Sequence, residues 1–391
     1  MRVLLVPEAF PPSRGGVAGS ADRIVGYLRQ AGIEVWAVDF DGRAEFGPSL
    51  SVTVDRTREC TVLVTPFFDN DRPVRIPERV KAVARREATL QLTNVARSLG
   101  IQLIHSMSVF NAGFIATFVA GALARPHLVG VRGFGRHPFD GFRAECVRWV
   151  LERATAVALA NRSLLELLSV AHPAVAAHAT VIADSVSPRP YPGLDAAARD
   201  ALRAEVGVGP DVVLIILAAN LREKKLVGLV LQALAAVPLA PATRLLIMGR
   251  VHPGVRDQFD ADMRRLGLEE RVVVRESVSQ EVLPRWLEAS DIVVLPSVDY
   301  GTTNIVLEAM ERARCVVASD IFAEVIRHEE NGILVNRLDP AALGRAFAAL
   351  AADLQSRNRL GTAARVVALA ECRPDREANA YIRLYERLVA S

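Results

Sequence analysis

Between Asp299 and Glu308 the chain reads D-Y-G-T-T-N-I-V-L-E, a spacing able to hold an anion beside a polyol. Gly301, Thr302, Thr303 and Asn304 offer backbone N–H groups and hydroxyls just where an apolar helical period begins. A helix N-terminus attracts anions through its unpaired amides and its dipole. A single N-cap residue would be enough merely to start a helix. Glu308, one turn further in, adds a carboxylate suited to hydroxyls attached to that anion. With Ile305, Val306, Ala309 and Met310 as the buried stripe, Glu308 falls on the opposite face. The plainer reading is a capped helix with an exposed glutamate.

Two other stretches could join in the same chemistry. In N-L-R-E-K-K at 220–225, Arg222, Lys224 and Lys225 follow a strand-like run and precede a helical period. Cations at a strand's carboxyl end can neutralise a phosphate, although a solvated basic loop reads the same way. In P-P-S-R-G-G-V at 11–17, Gly15 and Gly16 would let a ligand approach the backbone, and a tight turn alone would also use them. Neither G-x-G-x-x-G nor G-x-x-x-x-G-K-[ST] occurs, which sets aside a dinucleotide fingerprint and a P-loop. The four cysteines, Cys60, Cys146, Cys315 and Cys372, have no C-x-x-C spacing, and no D-x-D stands in a plausible loop. We expect no bound metal, no disulfide framework and a reducing, cytoplasmic setting.

Short apolar runs alternating with helical patterns must position these residues, and they indicate parallel α/β sheets. Strands are expected at 2–6, 33–38, 61–65, 101–106, 127–132, 156–160 and 180–183. A second set is expected at 212–218, 244–249, 271–275, 291–296 and 315–319. Such unbroken apolar runs suit strands buried on both faces. A chain of 391 residues divides naturally into two domains. The proline-rich segment 184–200 reads as the linker. The expected domains are 1–186, joined by a returning amphipathic helix at 375–391, and 187–374. A net charge of +3 with no basic tail gives no expectation of nucleic acid. The longest apolar run, 114–124, is too short to span a bilayer. Arg79, Lys81, Arg85 and Arg86 in the helix at 77–92 leave peripheral contact with an anionic membrane open, beside the plainer solvated face.

At this point the residues become specific. The second half, with Lys225, L-P-S-V-D-Y-G-T-T-N-I-V-L-E-A-M, V-V-A-S-D-I-F-A-E-V-I and E-N-G-I-L-V-N-R-L-D-P-A-A-L, resembles the donor-binding domain of the retaining glycosyltransferases of family 4. The resemblance is strong from 212 to 350 and weaker at 11–17. It implies the GT-B fold, two Rossmann-like doubly wound domains facing a central cleft. It also implies a nucleotide-sugar donor, a small-molecule, glycan or lipid-linked acceptor, and no cofactor. Residue by residue, Glu308 would hold the donor's ribose hydroxyls and the Gly301–Asn304 turn, with Ile305, would meet the phosphate and sugar. Lys225 would stabilise the leaving diphosphate and Gly16 would let the first loop pass close to it.

The departures from the family's pattern are informative. Tyr300 stands where the family's first glutamate belongs, with Asp299 beside it. Asn220 stands in place of an arginine, with Arg222 two positions on as its substitute, and Arg132 in place of a histidine, for which His105 and His137 are nearby alternatives. Ala219, Leu226, Ala313 and Cys315 occupy usual glycine or proline positions. Three other functions fit parts of this pattern. They are a GT-B sugar-nucleotide epimerase, an inactive sugar-nucleotide sensor, and a two-domain sugar-binding protein, the last disfavoured by the absence of a leader-like N-terminus.

Overall fold

The structure, a computed structural model, describes the chain except residues 12–15, 41–50, 56–60, 66–77, 135–140, 187–192, 222–225, 239–241, 277–281, 299–303 and 337. It divides into two compact units, Met1–Ala183 with Asp375–Ser391, and Asp184–Pro374.

The first unit opens with β1 (Arg2–Val6), α1 (Gly16–Gln30), β2 (Glu34–Phe40), β3 (Ser51–Asp55) and β4 (Thr61–Thr65). There follow α2 (Glu78–Ser98), β5 (Leu103–Ser106), α3 (Asn111–Leu123), β6 (His127–Val131) and α4 (Gly141–Arg153). It continues through β7 (Ala156–Leu159), α5 (Arg162–Ala171), α6 (Pro173–Ala176) and β8 (Ala179–Val181). The eight strands form one sheet, ordered β3-β4-β2-β1-β5-β6-β7-β8. All pairings are parallel except β3 with β4. β3 was not expected from the sequence, because S-V-T-V-D alternates apolar and polar residues while the other strands are apolar runs.

In the second unit come α7 (Ala196–Ala204), β9 (Val213–Ala218), α8 (Val227–Ala235), β10 (Thr243–Met248) and α9 (Pro253–Arg265). They lead to β11 (Val272–Arg275), α10 (Leu283–Ala289), β12 (Ile292–Leu295), α11 (Asn304–Glu311) and β13 (Cys315–Ser319). β14 (Ile333–Val335), α12 (Pro340–Ala352) and α13 (Leu354–Glu371) complete it. Its six strands are parallel in the order β11-β10-β9-β12-β13-β14. β9 shows why the apolar runs were legible, since Leu214, Ile215, Ile216 and Leu217 are wholly buried between helices on both faces. β14 is a further strand beyond those expected.

Two expectations shift. Val186 is buried in the second core and its amide donates to the Cys372 carbonyl at 2.9 Å, so the first break falls at Ala183 rather than after residue 186. The proposed linker is also partly helical. Asp195 accepts from the Ala198 amide at 2.7 Å and starts α7, the signature of an N-cap before an alanine run.

The chain returns as α14 (Pro374–Ala390), which packs in the first unit's core. Tyr381, Leu384 and Tyr385 join Ile24 and Leu28 of α1 over Val3, Leu5, Leu103 and Leu128. The other face of the sheet, with Leu4, Val6 and Ile104, is covered by Leu92 of α2 and by Ile115 and Val119 of α3. Among the described residues no helix is long and apolar enough to cross a membrane.

Candidate functional site

In the second sheet, β9 pairs with β10 on one side and β12 on the other. The chain runs from β9 outward to β10 and β11, then resumes at β12, so the strand order reverses between β9 and β12. Open α/β sheets bind ligands outside the carboxyl ends of the strands at such a switch point. The two segments leaving these strands are 219–226 and 296–303. Arg222, Lys224 and Lys225 fall in the first, and Asp299, Tyr300, Gly301, Thr302 and Thr303 in the second. These eight lie outside the described residues.

The exit from β9 is braced against that of β10. The Ala219 amide donates to the Met248 carbonyl at 3.0 Å and the Leu221 amide to the Arg250 carbonyl at 2.8 Å, ending in a bridge between Leu221 and Val251. Asn220 uses its Oδ1 to accept from the Arg250 amide at 3.0 Å. Its carbonyl oxygen is thus engaged in joining the two loops. Gly249 makes this approach possible, with φ at +147° and the Ala219 carbonyl oxygen 2.2 Å from where a Cβ would stand. Leu226 then enters α8 in the left-handed region, φ +48°.

The exit from β12 is braced against β13. Ser297 is buried, and its amide donates to Ser319 Oγ at 2.8 Å. Asn304 and Ile305 open α11 half-buried. Val306, Leu307, Ala309 and Met310 are the residues it buries, so Leu307 takes the place in the stripe expected for Ile305. Glu308 is half-buried one turn into the helix, and its backbone carbonyl accepts from Arg312 Nη1 at 2.8 Å. Arg312 also pairs with Glu311 Oε2 at 3.0 Å, where burial pushes the Glu311 carboxyl above its ordinary range. The second unit therefore brings Asn220, Asn304, Ile305 and Glu308 to adjacent strand exits.

Candidates in the first unit have different surroundings. Its order reverses between β1 and β5. Gly16 is exposed as the first residue of α1, while Gly15 and His137 lie outside the described residues. Arg132 follows β6 and is buried. Its Nη1 lies 3.9 Å from Glu377 Oε1 of α14, and Tyr381 lies beside it. Burial holds its pKa below the usual arginine range. His105 is wholly buried, with Nδ1 2.6 Å from the Tyr385 hydroxyl. Burial, aided by His127 and Arg132, lowers its pKa to about 3. It is a neutral interior residue, which corrects its candidacy as an imidazole facing a ligand. Sequence reading missed Glu8 at this edge, whose Oε1 accepts from the Ala112 amide at 3.0 Å in the first turn of α3. It also missed Glu377. A carboxylate in register with Tyr381 and Leu384 on the buried stripe of α14 was the available signal.

Among the described residues no group of three or more His, Cys, Asp or Glu is placed to hold a metal ion.

Residues 212–353 match the family model described as Glycosyl transferases group 1. The D-inositol 3-phosphate glycosyltransferase of Xylanimonas cellulosilytica is 32% identical over 186 residues, covering 46% of this chain and 44% of that protein. Its namesake from Streptomyces coelicolor is 29% identical over 185 residues, covering 45% and 40%. The matched part is less than half the length of either relative. Sucrose-phosphate synthase from Thermosynechococcus elongatus superposes with a TM-score of 0.81 at 19% identity, covering 100% of this chain and 99% of that one. Anabaena HepE, solved in complex with UDP-glucose, gives 0.78 at 17% identity, covering 99% and 100%.

Proposed function

We propose that the protein is a retaining hexosyltransferase, a reading supported by the match of residues 212–353 to the group 1 glycosyltransferases and by the GT-B fold. It moves a sugar from a nucleoside-diphosphate sugar to an acceptor hydroxyl, the donor bound by the second unit and the acceptor by the first. The observation that carries this reading is the coincidence of two features. The loops at the β9/β12 switch point are the ones that carry the cations, the glycine-threonine turn and Glu308.

The physical division of labour follows from charge. Departure of a nucleoside diphosphate concentrates negative charge on phosphate oxygens, and preorganised cations and amide donors lower that barrier. We assign this task to Lys225 and Arg222, with the amides of Gly301 to Asn304 at the positive end of α11. Glu308 accepts hydrogen bonds from the ribose hydroxyls, an interaction present equally in ground and transition states. Asp299 and Tyr300 face the sugar in this scheme. These groups suffice for leaving-group stabilisation, so the proposed reaction needs no metal. Tyr300 offers one O–H and an apolar face where a carboxylate would offer two acceptor oxygens. The donor sugar is accordingly altered at its 3- or 4-position, or Asp299 supplies the carboxylate.

Two substitutions test the assignment. Lys225→Ala should lower kcat by about 10²-fold with little change in donor affinity, as for a group acting mainly in the transition state. Glu308→Gln should weaken donor binding about tenfold while kcat changes less, as for loss of uniform binding. Melting shifts with a panel of nucleoside diphosphates and their sugars identify the donor, since ligand bound to the native state raises Tm. Parental kcat and affinity in both variants would remove the proposed site. A product of inverted anomeric configuration would remove the retaining mechanism.

A further inference from the structure

Three residues of α14, Glu377, Tyr381 and Tyr385, recur at one-turn intervals and face the sheet. Each engages a polar group on β5, β6 or α1. Glu377, with a fully buried side chain, lies between two arginines. Arg23 Nε of α1 is 3.1 Å from Oε2, and Arg132 Nη1 is 3.9 Å from Oε1. Tyr381 lies beside Arg132, and its ring is tilted against that of His105 with centroids 5.4 Å apart. Tyr385 meets His105 Nδ1 at 2.6 Å. Gly130 of β6 makes room for that ring, because a Cβ there would stand 2.7 Å from His105 Nε2.

This ladder is costlier than an apolar helix face would be. A carboxylate taken wholly out of water must recover its hydration from its partners. Leucine at position 377 would pack α14 without that penalty. What the carboxylate adds is direction. It holds a guanidinium from the helix that follows β1 by a hydrogen bond, and it stands as the counter-charge to another at the start of the segment that follows β6. Those are ligand-facing exits of the first sheet, on strands flanking β5.

We propose that Glu377 is a positioning residue for the ligand edge of the first unit. It holds Arg132 and the N-terminal part of α1 in the arrangement that the transfer reaction uses. This inference rests on the glycosyl transfer proposed above. Glu377 touches no substrate and acts through Arg132 and Arg23.

The test compares Glu377→Gln with Tyr385→Phe, which removes another rung of the ladder but leaves the ion-pair node intact. UDP-glucose is the probe, read by UDP release in the full-length chain and by equilibrium titration of UDP. Glu377→Gln should lower kcat about tenfold or more, as expected when a positioning contact is lost, with KM for UDP-glucose unchanged. Tyr385→Phe should stay within about twofold of the parent despite a lower Tm. Glu377→Asp, which keeps the charge, should recover part of the loss, and it replaces the Gln variant if that one does not fold. Equal kcat losses in the Gln and Phe variants, or an unchanged kcat in the Gln variant, would overturn the proposal. If the parent neither binds UDP nor releases it, the transfer reading for this donor fails separately. Hydrogen exchange then decides on Glu377. Faster exchange from Val131 to Phe134 in Glu377→Gln alone upholds it, and the same exchange in both variants refutes it.

Discussion

The carboxyl edges of the two sheets use polar side chains in opposite ways. In the first unit, the described polar groups near β5 and β6 turn inward, Arg132 to Glu377 and His105 to Tyr385. In the second, Asn304 and Glu308 remain half-buried at a helix start, supported from below by Ser297 and Ser319. Inward-turned charges specify how elements dock, because a buried polar group demands a particular partner. Groups at this edge are only partly withdrawn from solvent. One edge thus draws its polar residues into the core and the other leaves them half-exposed.

The comparison can be broken most forcefully at α14. Ending the chain after Arg373 removes Tyr381, Leu384 and Tyr385 from the first core and leaves Arg23 and Arg132 without Glu377. Removing one partner of a buried ion pair alone costs about 3–5 kcal/mol. The first unit should lose its cooperative transition while the second, whose core contains no residue of α14, keeps its own. Calorimetry of the shortened chain checks this. An unchanged two-unit profile would contradict the packing.

How much of this was legible in sequence depended on the range of the interaction. Strands such as β9 and β12 announced themselves because a strand buried on both faces must be apolar throughout. The helix from Asn304 was legible because helical period is local. β3 was missed because its V-T-V alternation is short and polar, and its place follows from pairing with β4. The Arg23–Glu377–Arg132 node was out of reach for a different reason. Its members are far apart in the chain and meet only because α14 returns to the first sheet. Asn220, standing where the family has an arginine, accepts from the Arg250 amide and so joins the β9 exit to the β10 exit, a pairing that sequence alone does not reveal.

Acid should separate the two units next. Burial lowers the pKa of His105 to about 3 and of His127 to about 4. The unfolded chain titrates these groups near 6.5. Both folded values are depressed, so the native state excludes protons that the unfolded state binds. Their contribution to stability is complete above about pH 6.5 and is lost as pH falls toward the folded values. At pH 5 each histidine should cost roughly 2 kcal/mol relative to neutral pH. The second unit's histidines, His252 and His328, are not buried. Urea unfolding at pH 7 and pH 5 should therefore move the first unit's midpoint more than the second's. His127→Asn should remove close to half of the difference.

The smallest effect concerns a feature the units share. Ala124 after α3 and Ala313 after α11 both adopt left-handed backbone, at φ +49° and +54°. Each closes its helix with the same bond pattern. The Arg125 amide reaches the Ala120 carbonyl and the Arg314 amide reaches that of Ala309, each at 3.0 Å. Glycine commonly fills this position, because a Cβ costs about 1–2 kcal/mol there. Glycine also gives the unfolded chain more freedom, which returns about 0.5–1 kcal/mol. The net gain from Ala→Gly is therefore a few tenths to about 1 kcal/mol at each site. Ala124 is exposed, so its methyl has little packing to lose, while Ala313 is half-buried against α13. There the Ala313 carbonyl oxygen would stand 2.1 Å from a Cβ at Gly361, so α13 lies close on the turn. Ala124→Gly should raise the first unit's Tm slightly, and Ala313→Gly should raise the second unit's by less. A fall in the second alone would mean that the Ala313 methyl's contacts outweigh its backbone strain, making this turn a packed part of the platform beneath Glu308.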